Sequence, residues 1–181
     1  MRPRIAPLEP PYGDELQGHF DQIMQGAPPL LLFRTVAASE RAWRKFRDGS
    51  LLDGRLISLR EREIVIDRTC ALAGCEYEWG VHVSAFAAAA GLTPAEIAAT
   101  TSDDGEAASW SEAERALIAA ADALHRRARL SEAEFAALRA HYDKAQVLEI
   151  IMLCGFYRTV AYLANGLDLP LEVAAARFEG R

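Results

Sequence analysis

"SLREREIVIDRTCALAGCEYEWGVHVSAF", Ser58 to Phe86, decides the fold. Ser58 and Glu61 stand at capping-box spacing, where the serine oxygen accepts an amide and the glutamate reaches back to the helix start. Leu56, Leu59, Glu63, Ile66, Cys70 and Ala73 then recur every three or four residues, which is one stripe of an α-helix. Gly74 ends that helix. Beyond it Cys75, Glu78, Trp79, His82 and Phe86 fall on one stripe of a second helix. Two helices joined at a glycine can fold back and press these stripes together. Glu63 would then meet Cys75, Glu78 and His82. Glu61 and Arg62 read as the solvated side of the first helix.

The rest of the chain repeats the pattern. Thr93-Pro94-Ala-Glu96, Ser111-Glu-Ala-Glu114 and Ser131-Glu-Ala-Glu134 are three more helix starts, the first with proline at the first helical position. Helices are expected over Tyr12–Met24, Leu30–Arg47, Ser58–Ala73, Glu76–Ala90, from Thr93, from Ser111 to about Arg127, from Ser131 to about His141, over Lys144–Ala164, and over Pro170–Phe178. Residues 1–12 hold four of the eight prolines and read as an extended arm. Residues 101–109, "TSDDGEAAS", read as a solvent loop. No linker divides the chain. The expectation is an all-α single domain of six to eight helices over residues 1–181.

Totals narrow the function. The 181 residues are 51% hydrophobic and 25% charged, a globular balance, with a net charge of −6. Nucleic acid is not an expected partner, because phosphate binding needs clustered Lys and Arg. The basic clusters Arg41–Arg47 and Arg126–Arg129 read as solvated faces. No run of about 20 apolar residues suggests a membrane span. No apolar stretch near the N-terminus suggests a signal peptide. Three cysteines, Cys70, Cys75 and Cys154, suggest reduced thiols and a cytoplasmic protein.

Each candidate site residue has an ordinary reading. A histidine on an apolar helix face is commonly a satisfied core residue, and a lone cysteine is commonly a small buried hydrophobe. The conjunction of Glu63, Cys75, Glu78 and His82 on two adjoining faces is what points to a site. Cys75 falls at a helix N-terminus, where unpaired amides and the helix dipole favour a thiolate. Glu63, Glu78 and His82 suit proton transfer. The same four side chains also admit a metal, with Glu78 and His82 one turn apart. They form neither a CxxC pair nor an HExxH motif, so no metal or cofactor is expected. Tyr77 and Trp79 are candidate substrate-contacting neighbours. Tyr157, Arg158 and Tyr162 suggest a helical patch that lines a pocket or a subunit contact.

"ISLREREIVIDRTCALAGCEYEWGVHVSAFAAAAGLTPAEI", Ile57 to Ile97, resembles the core of the carboxymuconolactone decarboxylase family, which includes the AhpD-like alkylhydroperoxidases. "FYRTVAYLANGLDLPLE" resembles the C-terminal helix of its larger members. The resemblance implies an AhpD-like helical bundle and a homo-oligomer (dimer, trimer or hexamer). In the AhpD-like branch the site is a glutamate, a CxxC pair and a histidine. That pattern puts the glutamate at Glu63, the first cysteine at Cys75 and the histidine at His82. The second cysteine falls on Glu78. The chain therefore cannot close the branch's disulfide, and Cys70 is the remaining candidate to resolve an oxidised Cys75. Two activities follow from the resemblance: peroxidase-like thiol chemistry on a hydroperoxide, or cofactor-free decarboxylation or hydrolysis of a small carboxylic lactone. A non-catalytic small-molecule-binding oligomer is the third reading. A lactone acid calls for a cationic clamp, for which Arg60, Arg68 and Arg158 are the candidates.

Overall fold

The computed structural model describes residues 3–51, 54, 56–103, 105 and 109–178. Its described residues form nine α-helices and no strand. They are α1 (Asp14–Met24), α2 (Leu31–Val36), α3 (Glu40–Asp48), α4 (Leu59–Leu72), α5 (Glu76–Phe86), α6 (Pro94–Thr101), α7 (Glu112–Arg127), α8 (Glu132–His141) and α9 (Lys144–Gly166).

Capping decides where most of these helices start. At Ser58 the amide of Glu61 donates to the serine oxygen at 3.2 Å, and the Ser58 amide donates to the Glu61 carboxylate at 2.8 Å. Complete capping boxes also open α6, α7, α8 and α9, at Thr93, Ser111, Ser131 and Asp143. Two expected helices differ. Residues 30–47 form two helices, because Ser39 leaves helical geometry and accepts a hydrogen bond from the Ala42 amide to start α3. Residues 170–178 form turns rather than a tail helix. They are held from outside, by the Phe178 amide donating to Glu76 and the Ala176 amide donating to Gly80. Part of the expected loop at 101–109 lies outside the described residues.

Helix α4 is the hub. It packs against α5, α6, α7 and α9. Every residue from Arg62 to Cys70 is buried, so α4 has no solvated side along this stretch. This corrects the expectation that Arg62 faces solvent. Burying a helix on all sides forces its polar residues to find partners inside. Arg68 does so with Asp122 of α7, at 2.7 and 3.0 Å, and with the carbonyl of Thr100 at the end of α6. One side chain thus ties three helices. Helix α9 is long and apolar enough to cross a membrane, with a mean hydropathy of 1.5. Here one side of it, including Ile150, Leu153, Tyr157 and Val160, is buried in the core.

Candidate active site

Helices α4 and α5 turn at Gly74, whose φ of +61° lies in the left-handed region that glycine adopts without strain. The fold-back brings Glu63 to His82, with His82 Nδ1 2.8 Å from Glu63 Oε2. On the other side of the ring, His82 Nε2 lies 3.4 Å from Glu78 Oε1. The imidazole is therefore held between two carboxylates. Burial alone would lower its pKa, but the hydrogen bond to Glu63 and the contact with Glu78 outweigh it and raise the value to about 10. The two carboxylates thus favour the imidazolium form of His82.

Glu63 is fully occupied. Its Oε2 faces His82, and its Oε1 accepts from Arg62 Nε at 2.8 Å and lies 2.7 Å from Arg62 Nη2. Arg62 also sits over the Phe86 ring, 5.1 Å from its centroid. Tyr157 presents its ring edge-on to His82 at 5.0 Å. Glu78 is different. Its Oε2 is buried and has no hydrogen-bond partner.

Glu78, His82, Arg62 and Tyr157 line a cavity of about 750 Å³ whose other walls include Phe33, Phe46, Phe86 and Phe156. The end of α1, from Gln22 to Gln25, and Ala174 and Ala175 of the C-terminal segment also line it. This is the shape of a small-molecule site: mostly apolar, with a few convergent polar groups.

Cys75 does not line this cavity. It is fully buried, and burial pushes its thiol up to about 11, although the Glu78 amide at the start of α5 pulls the other way. The expected thiolate at a helix N-terminus is thus not formed, because desolvation outweighs the helix end. Cys70 is fully buried as well, and burial pushes its thiol well above the ordinary value.

Tyr77 and Trp79 also point elsewhere. The Tyr77 hydroxyl donates to Glu172 at 2.5 Å and accepts from the Leu32 amide. The Trp79 indole donates to Thr100 at 2.9 Å and packs on Phe178. Both tie the N- and C-terminal segments and α6 to α5, and neither lines the cavity. The expected clamp residues are committed too. Arg60 pairs with Glu96 and Glu114, Arg68 with Asp122, and Arg158 with His125 and Tyr162. No group of three or more His, Cys, Asp and Glu side chains among the described residues is arranged to hold a metal.

The sequence reading missed three residues. Arg62 and Arg47 line the cavity. Asp67 is fully buried one turn beyond Glu63, and neither of its oxygens has a hydrogen-bond partner. Burial pushes its carboxyl well above the ordinary range, and the negative Glu63 adds to that against the pull of His82. Its position, four residues after Glu63, was the available signal.

Fold and site together define an all-helical, AhpD-like protein with a buried carboxylate–imidazole–carboxylate array. Residues 37–123 match the model of the carboxymuconolactone decarboxylase family. Solved structures share the fold over nearly the whole chain. A peroxidase-related protein with an alkylhydroperoxidase AhpD core, from Ralstonia eutropha JMP134, is 20% identical with a TM-score of 0.81, covering 96% of this chain and 94% of its own. A peroxidase-related protein from Silicibacter sp. TM1040 is 18% identical with a TM-score of 0.80, covering 97% and 92%. The debrominase Bmp8, solved with 2,3,4-tribromopyrrole, is 20% identical with a TM-score of 0.77, covering 93% and 91%. A search of curated proteins gives no match. The chain thus has the AhpD-like fold and carries, at residues 37–123, a stretch that matches the carboxymuconolactone decarboxylase family model.

Proposed function

We propose that this protein is a cofactor-independent enzyme that moves a proton on a small organic acid or lactone bound in the aromatic cavity. The observation that carries this reading is Glu78, a carboxylate that lines the cavity and lies 3.4 Å from His82 Nε2, with its buried Oε2 unpartnered among the described residues. A free acceptor at that place is a general base. The Glu78 carboxylate takes a proton from the carbon next to the substrate's carbonyl. His82, bound to Glu78 through Nε2, stabilises the negative charge that develops and can return a proton. Glu63 and Arg62 fix the ring. No cofactor is called for, since side chains supply every proton-transfer group.

Thiol peroxidase chemistry fits less well. Cys75 is enclosed and outside the cavity lining, its thiol is protonated at neutral pH, and Glu78 stands where a second cysteine would close a disulfide. The three free cysteines suit a reducing compartment, and we place the protein in the cytoplasm on that ground. We also propose that it is a homo-oligomer. Leu148, Met152, Gly155, Thr159 and Tyr162 alternate by four and three residues along an exposed side of α9, the spacing with which helices pair.

The test is deuterium exchange in D2O at the activated carbon of a panel of small lactones and unsaturated organic acids, followed by NMR. Wild type and Cys75→Ser are expected to exchange alike, and Glu78→Gln is expected to be slower by about 100-fold or more. Hydroperoxide consumption that survives in Glu78→Gln but vanishes in Cys75→Ser would replace this reading with the thiol one.

A further inference from the structure

The cavity holds a further cationic group, on a different helix from Glu78. Arg47 lies in the last turn of α3, half-buried, and lines the cavity together with Phe46 and Ser50. Among the described residues no carboxylate pairs with its guanidinium, whereas Arg34, Arg60, Arg62, Arg68, Arg126 and Arg127 all have acidic partners. An unpaired, partly desolvated guanidinium at a ligand cavity offers a planar fork of donors to an anion.

A wall of aromatic rings separates Arg47 from the proton-transfer groups. Phe46, next to Arg47, meets Phe156 at 5.2 Å between centroids. Phe156 meets Tyr157 at 5.4 Å, and Tyr157 meets His82 at 5.0 Å. Three ring contacts in series thus lie between the cationic end and the imidazolium. Several of the groups lining the cavity, Phe156, Ala174, Phe33 and Met24, lie outside the stretch that matches the family model. Glu63, Glu78 and His82 lie inside it. The proton-transfer groups therefore come from the stretch that matches the family model, and much of the shape of the cavity comes from segments outside it.

We propose that the cavity takes an elongated carboxylate, with its anionic end on Arg47, its apolar body along Phe46 and Phe156, and its reacting end at Glu78 and His82. This rests on the proton-transfer reading and specifies its substrate. A carboxylate suits the place better than a phosphate: one guanidinium satisfies a single negative charge through two parallel hydrogen bonds, and among the described residues no second unpaired arginine or lysine lines the cavity. The apolar spacer follows from the ring wall, which gives a shorter acid nothing to span.

Titration calorimetry with phenylalkanoates of increasing chain length is the test, with the corresponding phenylalkanols as uncharged probes. Wild type is expected to bind the acids more tightly than the alcohols by about 10–100-fold, the worth of a charge-assisted hydrogen bond in a partly buried site, with affinity rising to an optimum at intermediate length. Arg47→Met, which keeps the apolar stem, is expected to bring acid and alcohol affinities together. Arg44→Met, on the exposed side of α3, is expected to keep the preference. Equal binding of acid and alcohol by wild type, an acid preference that persists in Arg47→Met, or no binding of any probe by the folded protein overturns the proposal. A wild type that prefers the acids but exchanges no deuterium in any substrate removes the proton-transfer reading and leaves the anion site, whereas exchange without an acid preference removes this proposal alone.

Discussion

Glu63, His82 and Glu78 show how folding turns ordinary residues into a coupled array. In water each would be solvated and independent. Inside the fold, each ring nitrogen of His82 faces a carboxylate, and the raised pKa follows from that enclosure. Asp67 shows the opposite case, a buried acid with no partner for either oxygen. Its folded-state pKa lies well above the usual value of 3.8. The folded protein therefore keeps a proton that the unfolded chain releases, and this group costs more stability as pH rises above 3.8. Asp67→Asn removes the cost without changing shape. Urea denaturation is expected to show a variant more stable than wild type at pH 7, with the gain shrinking toward pH 4. A loss of stability that is equal at both values would mean that Asp67 is held as a charged partner of the array.

At the level of elements, the C-terminal segment is held against the cavity through one glycine. A Cβ on Gly80 would lie 2.2 Å from the Ala176 carbonyl oxygen, and the Ala176 amide donates to the Gly80 carbonyl at 3.1 Å. Helix α5 and the tail pack backbone against backbone there, which only glycine allows. Gly80→Ala is expected to push residues 173–178 off α5 and cost about 1–3 kcal/mol in chemical denaturation. It should also weaken ligand binding, since Ala174 and Ala175 line the cavity. A variant with unchanged stability and ligand affinity would show that this glycine does not hold the tail against the cavity. Gly80 carries no local signal of this role, because the contact is with a residue 96 positions later. By contrast, the start of α4 was legible to the residue, because Ser58 and Glu61 cap it with atoms three residues apart.

The whole molecule leaves one long apolar helix half covered. Helix α9 buries Leu153, Tyr157 and Val160 but exposes Leu148 at 62%, Met152 at 54% and Tyr162 at 64%. A Cβ on Gly155, midway along that exposed side, would meet nothing within 4 Å, so another helix could approach closely. Light scattering is expected to show an oligomer for wild type and a monomer for Met152→Glu. A monomeric wild type at tens of micromolar, or an unchanged Met152→Glu oligomer, would remove this face as the interface.

The sequence by itself determined most of the helices and the meeting of Glu63, Glu78 and His82. Helix caps, glycine stops and the 3.6-residue period act between neighbours in the chain, so they can be read from neighbours. One stripe on each of two helices joined at Gly74 was enough to predict the meeting of Glu63 with His82. The tertiary structure decided what each group can do. It enclosed Cys75, sent Tyr77 and Trp79 to the chain's terminal segments, committed Arg60, Arg68 and Arg158 to partners on other helices, and left Arg47 unpaired at the cavity. Desolvation and ion pairing depend on everything that surrounds a side chain, and those surroundings come from parts of the chain far away in sequence.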